Sequence, residues 1–353
     1  MASAARKQIP APGMTPCSIY RWDLDKTYLK SEFDSVRDLV KIPFEKPEDK
    51  VAAPGVAALI RALRGVGAAA GLDVRVYFLS ASPPQIGKAI RDKLALDGIE
   101  YDEIVFKNQL QHLVRGKFRN LREHIGYKLA ELFKWRNAAP AHAREFLFGD
   151  DWESDPLIYS LYADVIAGRV GEEELRGVLE QIPVDRNQVE EVIGLQREIE
   201  RAEAVARIYI NLERRTPPAN FRAYGRRLVP TFNYFQTAAG LFEDGELTLA
   251  AVAKVAESLI EHFEYTPERL GNSLADVSRR GHLSSRTTKV LRQYLATQHL
   301  VPAVRAPRRR RSLWQRLVGL ISAWNRAAEN GRRVAESIPL DYRQLASELR
   351  AAK

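Results

Sequence analysis

A predicted strand that ends in two carboxylates constrains the fold of this chain more than any other feature. Residues 18–22 form a short strand-like run, Asp23 and Asp25 follow it, and the hydroxyl of Thr27 comes two positions later. Two like charges this close are costly to hold together unless a cation or a shared proton neutralises them. The pattern therefore indicates a divalent metal and a reacting phosphate. An acidic turn after an edge strand is the alternative, and DxDxT alone does not decide between the two.

Polar residues also follow two later predicted strands. Ser80 follows the strand at residues 74–79, and Asp150 follows the strand at 145–148. Predicted helices alternate with these strands, which predicts a parallel sheet whose ligands bind at the carboxyl ends of the strands. We therefore expect an α/β fold, a three-layer Rossmann-like parallel sheet with a helical C-terminal domain. Asp23, Ser80 and Asp150 should lie at one edge of that sheet.

Phosphoryl transfer requires positive charge around the phosphoryl oxygens, and the helix predicted at residues 124–136 carries two lysines. At about 100° per residue, Lys128 borders the apolar arc that includes Ile125 and Leu129, whereas Lys134 points away from it. This geometry favours Lys128 as the lysine of the site. A solvated helix lysine is the alternative.

The order DxDxT, strand-terminal Ser80, Lys128 and GD-x4-D resembles the haloacid dehalogenase-like phosphatase superfamily. Two motifs resemble one branch more closely. Ser-Ala-Ser-Pro at 80–83 and the run from Gly149-Asp150 to Tyr159 are similar to the SxSP and GDxxxxDPxIY signatures of the phosphatidate phosphatase catalytic family. The resemblance covers roughly residues 15–170. It is specific in the motifs and weak between them.

The resemblance implies a phosphatase that works through an aspartyl-phosphate intermediate. Asp23 would be the nucleophile, and Asp25 would protonate the leaving alkoxide and later activate water. Ser80 would donate a hydrogen bond to a phosphoryl oxygen, and Lys128 would contribute positive charge. Thr27 would orient the loop that carries Asp25.

The resemblance also implies a bound Mg²⁺, a hard cation that takes oxygen ligands. Its ligands would be Asp23, the backbone carbonyl of Asp25, and Asp150. Asp155 would steer a metal-bound water or the lysine. Asp151 is the alternative for that role. It departs from the family pattern, which usually has a small residue at this position.

Three functions fit these motifs to different degrees. Phosphatidate or a similar lipid phosphate is the leading substrate that the resemblance implies. Residues 28–54 are too few for a large cap, so we expect an open site that a bulky substrate can reach. A phosphatase of a soluble sugar phosphate or a nucleotide uses the same chemistry. A non-catalytic helical interaction protein with a vestigial phosphatase scaffold is the third alternative. Loss of Asp25 or Asp150 would have indicated the third, and both are present.

The chain divides into four predicted parts. Strand patterns end with a strand predicted at Tyr162–Ile166, and from about residue 171 helical periods replace them, with one long helix expected over 190–214. The parts are a flexible leader at 1–14, a haloacid dehalogenase-like phosphatase domain at 15–185, a helical accessory domain at 186–300 and a basic amphipathic tail at 301–353.

The net charge of +9 is concentrated in the tail, where twelve Lys and Arg residues stand against four Asp and Glu residues. The body is close to neutral, which argues against a specific nucleic-acid partner there. Arg308–Arg311 precede an apolar stripe that contains Leu313, Leu317 and Trp324. A basic run beside such a stripe is typical of a helix on an anionic membrane surface. Packing of the stripe on the helical domain and an unspecific nucleic-acid contact are the alternatives.

The composition also bears on localisation. Cys17 is the only cysteine, so no internal disulfide can form, which fits a reducing compartment. No window approaches the run of about 18 apolar residues that a membrane span needs, and residues 1–15 lack the apolar core of a signal peptide. We therefore expect a cytoplasmic protein that is peripheral at the membrane if the tail binds lipid. The sequence indicates no oligomeric state.

Overall fold

The computed structural model describes residues 15–25, 27–28, 52–80, 84–107, 123–152, 154–182, 184–303 and 340–351. Several predictions concern residues outside these ranges: the leader at 1–14, most of the short segment at 28–54, and the arginine run with its apolar stripe in the tail. They stay predictions.

A six-stranded parallel sheet forms the centre of the protein, in the order β3-β2-β1-β4-β5-β6. The strands are β1 (Cys17–Asp23), β2 (Asp73–Ser80), β3 (Glu103–Phe106), β4 (Arg144–Asp150), β5 (Val205–Asn211) and β6 (Leu228–Thr231). The chain runs from β1 outward to β3 and then returns to the other side of β1 to form β4. The crevice for ligands in such a sheet lies where the strand order reverses, between β1 and β4.

Helices cover both faces of the sheet. They are α1 (Val56–Ala70), α2 (Gly87–Leu96), α3 (Glu123–Ala138), α4 (Asp155–Ile166), α5 (Glu172–Gln181), α6 (Arg186–Arg197), α7 (Tyr234–Glu243), α8 (Leu249–Phe263), α9 (Pro267–Arg279), α10 (Ser285–Thr297) and α11 (Tyr342–Ala351). One hydrophobic core contains α1, α2 and α7 to α10, and the other contains α3 to α6 and α11. The predicted three-layer α/β fold with a helical region is confirmed.

The alternation of side chains along β1 sorts its residues between the two faces. Tyr20 and Trp22 belong to the core with α1 and α7, and Trp22 stacks on Phe148 with ring centroids 3.8 Å apart. Arg21 and Asp23 therefore project from the opposite face, toward α3 and α4. This places the first carboxylate of the DxDxT motif beside the helix that carries the predicted lysine.

The strand predicted at Tyr162–Ile166 is wrong, because these residues form the last turns of α4. Every residue of α4 is buried. A helix that is buried on all sides has no polar face, so its apolar residues show no helical period. A short apolar run of this kind cannot be distinguished from a buried strand. Pro156 in its first turn was the available signal for a helix.

The expectation that strands end near residue 171 is also wrong. β5 and β6 lie in the region predicted to be helical, and the long helix expected over 190–214 is in fact α6 followed by β5. Both strands pair in the sheet that contains β1 and β4, so the sheet continues past the boundary predicted between residues 185 and 186.

The helical periods expected after residue 171 are otherwise confirmed, since α5 to α10 lie there. The apolar stripe that begins at Leu249 forms α8, and Thr266 and Ser284 cap α9 and α10 by accepting hydrogen bonds from Arg269 N and Thr287 N. Helix α11, within the predicted tail, buries Tyr342 against α4 and α5. Within the described ranges, no helix is long and apolar enough to cross a membrane.

Candidate functional site

The carboxyl ends of three adjacent strands bring the motif residues together. Asp23 ends β1, Ser80 ends β2 and Asp150 ends β4, and β1 lies between the other two in the sheet. All three side chains are fully buried. The sheet thus places at one edge the residues that the sequence predicted there.

Lys128 connects two of the carboxylates. Its Nζ lies 2.7 Å from Asp23 Oδ1 and 2.7 Å from Asp155 Oδ1, and all three side chains are inaccessible to solvent. Lys134 instead remains 43% exposed and pairs with Glu131 at the surface. The predicted orientation of α3 is therefore correct, and Lys128 is the lysine that it directs into the site.

Asp155 reaches the cluster because α4 begins directly against the end of β4. Its Oδ2 accepts a hydrogen bond from the backbone N–H of Asp150 at 3.3 Å. A Cβ at Gly149 would lie 2.4 Å from that same oxygen, closer than any side chain can be accommodated. The glycine of the GD-x4-D motif thus has a steric reason, since only glycine leaves room for the second aspartate.

Asp25 is held by a hydrogen bond from the neighbouring strand. Ser80 Oγ donates to Asp25 Oδ2 at 2.9 Å, and the Tyr127 hydroxyl donates to the backbone carbonyl of Ser80 at 3.3 Å. Burial raises the pKa of Tyr127, so its hydroxyl stays protonated and remains a donor. In this arrangement Ser80 positions Asp25, a contact that the sequence reasoning did not foresee.

Thr27 was expected to orient the loop of Asp25 through its hydroxyl. The buried Thr27 Oγ1 makes no hydrogen bond among the described residues. The Tyr234 hydroxyl, from α7, instead donates to the backbone carbonyl of Thr27 at 2.6 Å. Burial raises the pKa of Tyr234, which keeps this donor protonated. The loop is thus anchored by a residue more than two hundred positions away, which sequence reasoning missed.

Asp23, Asp150 and Asp155 could hold a metal ion. Each offers a carboxylate oxygen, and these oxygens lie within 4.8 Å of one another. Three carboxylates this close to one another repel, and a bound cation relieves that repulsion. A hard divalent cation with oxygen ligands, such as Mg²⁺, fits this donor set. The Asp25 carboxylate lies outside the triad, in keeping with a ligand role for its backbone carbonyl rather than its side chain.

Asp151 makes contacts of another kind. Its carboxylate accepts hydrogen bonds from the backbone N–H groups of Arg214 at 2.9 Å and Thr216 at 3.0 Å. These residues belong to the loop after β5. Two aspartates were considered for the outer shell of the metal. Asp155 lies in the triad, whereas Asp151 fixes the loop after β5.

Lys107 is a second residue of this edge that sequence reasoning missed. It directly follows β3, its side chain is only 7% exposed, and its backbone N–H donates to the Ser80 carbonyl at 3.1 Å. The sequence places it at the start of an irregular basic segment, and its position directly after a strand was the available signal.

Comparison of the chain with protein-family models, with curated proteins and with solved structures finds no match. The fold and the geometry of the site are thus the grounds for assigning a class. They define a doubly wound parallel α/β protein with buried carboxylates and a buried lysine at the carboxyl edge of its central strands.

Proposed function

We propose that this protein is a Mg²⁺-dependent phosphatase that works through an aspartyl-phosphate intermediate. One observation carries the proposal: Lys128 lies between Asp23 and Asp155, and Asp150 completes a buried carboxylate triad at the switch point of the sheet. Phosphoryl transfer requires mainly positioning and positive charge around the phosphoryl oxygens. The order of motifs in the sequence, which resembles haloacid dehalogenase-like phosphatases, supports the same reaction.

Asp23 is the nucleophile in this proposal. Its carboxylate oxygen attacks phosphorus, and the bond between phosphorus and the alcohol oxygen breaks. The ammonium of Lys128, 2.7 Å away, keeps Asp23 ionised and ready to attack. Water then attacks the phosphorus of the aspartyl-phosphate, which releases inorganic phosphate and restores the carboxylate.

Asp25 is the general acid and base. It gives its proton to the leaving alkoxide in the first step and takes a proton from the attacking water in the second. The hydrogen bond from Ser80 Oγ holds the Asp25 carboxylate in place at the edge of the sheet. General acid–base catalysis of this kind contributes typically about 10² to 10⁴ in rate.

Asp23, Asp150 and the backbone carbonyl of Asp25 would hold Mg²⁺, with Asp155 beside them. When bound, the ion supplies positive charge to the phosphoryl oxygens. Asp155 also accepts from Lys128 and from the backbone N–H of Asp150, so it fixes the lysine relative to β4.

A lipid phosphate such as phosphatidate is the leading substrate on the resemblance of the SxSP and GDxxxxDPxIY motifs. A soluble sugar phosphate is the second candidate, and one observation favours it: a cleft with several polar side chains adjoins the triad at Asp151 and Ser154. Because Asp25 and Asp150 are both present, a non-catalytic scaffold is the least favoured function.

Binding of the tail to an anionic membrane is part of the lipid-phosphate proposal. Cosedimentation with anionic and neutral vesicles should compare the full chain with a variant in which Arg308 to Arg311 are all changed to glutamine. This variant keeps α11, whose Tyr342 is buried against the body. Loss of salt-sensitive binding to anionic vesicles is the expected result, and equal binding of both proteins would refute the membrane contact.

Phosphate release from a panel of monoesters, including lipid phosphates in mixed micelles, tests the main proposal. We expect release that requires Mg²⁺, that Asp23→Asn abolishes, and that Asp92→Asn preserves, because Asp92 pairs with Lys88 at the surface. An unchanged rate in Asp23→Asn would rule out Asp23 as the nucleophile. Absence of release from every monoester would favour the non-catalytic alternative.

A further inference from the structure

A cleft of about 220 Å³ is lined by Asp151 and Ser154, the sequence neighbours of Asp150 and Asp155 in the carboxylate triad. One wall is the start of α4 with the turn before it, and the other is the segment from Thr216 through the 3-10 helix Pro218–Tyr224. The hydrogen bonds from Arg214 N and Thr216 N to Asp151 hold the two walls together. The cleft is thus built by two separate parts of the chain that meet at the site.

Ser154 gives this cleft an unused hydrogen-bonding group. It occupies the cap position of α4, yet its side chain makes no capping hydrogen bond. Ser154 is 3% exposed, it lines the cleft, and its Oγ has no hydrogen-bond partner among the residues that the structure describes. A buried hydroxyl without a partner destabilises a protein, so such a group indicates a ligand that completes the bond.

The negative charge around the cleft disfavours an anionic group there in addition to the phosphoryl group at the triad. Asp151 lines it, and Asp155 occupies the first turn of α4, where its carboxylate offsets the positive end of the helix dipole. Negative groups on one wall repel phosphate or carboxylate ligands, whereas they accept hydrogen bonds from hydroxyl groups. The ligand of the cleft should therefore be an uncharged hydrogen-bond donor.

The remaining lining fits a hydroxylated carbon chain. Thr216 and Asn220 add polar side chains that can both donate and accept hydrogen bonds. Pro156, Leu157 and Phe221 add apolar surface that contacts C–H groups. This mixture of a few polar groups with apolar walls is typical of sites for small organic ligands. A cleft lined for a hydrocarbon chain alone would not include a buried hydroxyl.

We propose that the cleft binds the hydroxylated alcohol part of a small polyol phosphate, which belongs to the second of the two substrate classes named above and whose alcohol is the leaving group of the proposed reaction. This inference rests on the proposed function for the position of the phosphoryl group. Asp151 and Ser154 directly adjoin Asp150 and Asp155 in the sequence, so the alcohol lies beside the carboxylates that bind and transfer its phosphate. The cleft thus distinguishes a polyol monoester from an alkyl monoester.

Two matched ligands test the inference: glycerol 3-phosphate and n-propyl phosphate, which differ only in two hydroxyl groups. Their affinities for the Asp23→Asn protein with Mg²⁺ can be measured by NMR titration of the backbone amides. Each hydrogen bond gained is worth a factor of about 2 to 12 in affinity. We expect tighter binding of glycerol 3-phosphate, by about fivefold or more, with shifts at the amides of Ser154, Leu157 and Thr216.

The same measurement with Ser154→Ala should show that most of the preference for glycerol 3-phosphate is lost. Ser160→Ala is the matched control, because Ser160 lies on the same helix, is also 3% exposed and does not line the cleft. It should keep the preference. Equal affinity for the two phosphates, or a preference that Ser154→Ala leaves intact, would overturn the inference.

Hydrolysis of the two phosphates by the wild-type protein separates this inference from the proposed function. If both phosphates are hydrolysed with equal efficiency and bind with equal affinity, the polyol site in the cleft is refuted and the phosphatase activity is retained. Selective binding of glycerol 3-phosphate without release of phosphate from either ligand would retain the cleft as a polyol phosphate site and refute the phosphatase.

Discussion

Two buried groups of charged residues lie on the same face of the central strand, and their charges balance differently. Arg21 and Asp23 are two positions apart on β1, so they project in the same direction. In the first group, Arg21 and Arg136 surround the carboxylate of Glu145 at 3.1 and 3.2 Å, and the Tyr162 hydroxyl donates to Glu145 at 2.6 Å. The surplus of positive charge is spread over delocalised guanidinium groups that also donate to backbone carbonyls.

The second group, at the carboxyl edge, contains three carboxylates and Lys128. Like charges that are buried together repel, and such clusters are arranged at functional sites more than in structural ion pairs. Burial alone therefore does not identify a functional charge. The first group links α3 to the sheet, whereas the second is a candidate cation site.

The largest effect on stability should come from the first group. Glu145→Gln removes the carboxylate between two buried guanidinium groups and should lower the free energy of unfolding by about 3–5 kcal/mol. Asp23→Asn should leave it within about 1 kcal/mol of the wild-type value, or raise it, because a buried negative charge is removed. Urea denaturation of both variants in EDTA measures the difference. A larger loss in Asp23→Asn than in Glu145→Gln would reverse the comparison.

Magnesium should stabilise the protein through the second group alone. A ligand that binds only the folded state at a hundred times its Kd adds about 2.7 kcal/mol. We expect Mg²⁺ to raise the Tm of the wild-type protein and of Asp92→Asn, and to leave that of Asp150→Asn almost unchanged. An equal rise in Asp150→Asn would place the binding of the ion elsewhere.

A methyl group at position 149 should disturb the second group without altering its charge. The Cβ of Gly149→Ala would meet Asp155 Oδ2 at 2.4 Å, and relief of this contact displaces the carboxylate. Overpacking of this kind costs about 1–3 kcal/mol. Gly194→Ala is the control, because it lies in α6 with open space around it and should be neutral or stabilising. The free energy of unfolding, measured by denaturation, and the rate of phosphate release should both fall in Gly149→Ala and not in Gly194→Ala.

The smallest effect is expected from the anchor of the Asp25 loop. Tyr234→Phe removes the hydrogen bond to the Thr27 carbonyl and should lower stability by about 1 kcal/mol. Tyr20→Phe removes a comparable bond to Glu246, at the other end of β1. Both variants should be destabilised, and only Tyr234→Phe should also have a lower kcat. A reduced kcat in Tyr20→Phe of the same size would mean that the effect is general.

The sequence predicted the central part of the fold because the hydrophobic period of each segment and the polar residue that follows it indicated the same element. β1, β2 and β4 are apolar strands that end at polar residues, and the predicted face of α3 correctly assigned Lys128. The failures have physical causes. Helix α4 is buried on all sides and lacks a period. β5 contains Arg207, whose charge is paired with Asp244 directly after α7, and the edge strand β6 contains Pro230.

The finer contacts of the site depend on segments that meet only in the folded protein. Asp25 is held by Ser80, and the Thr27 carbonyl is held by Tyr234. Asp151 fixes a loop more than sixty residues further along the chain. Motif spacing predicts which residues reach the edge of the sheet. It does not predict the hydrogen bonds from other segments that orient these residues.

The most direct test of the central claim is the location of a covalent phosphoryl group. Asp25→Asn should still form the intermediate with an activated ester such as p-nitrophenyl phosphate, because that leaving group needs little protonation, and its breakdown should be slowed by about 10² to 10⁴. Acid quenching followed by peptide mass spectrometry then maps the modified residue. We expect a Mg²⁺-dependent phosphoryl group on Asp23, and its absence from Asp23→Asn. Phosphate release without a covalent intermediate, or a phosphoryl group on another residue, would contradict it.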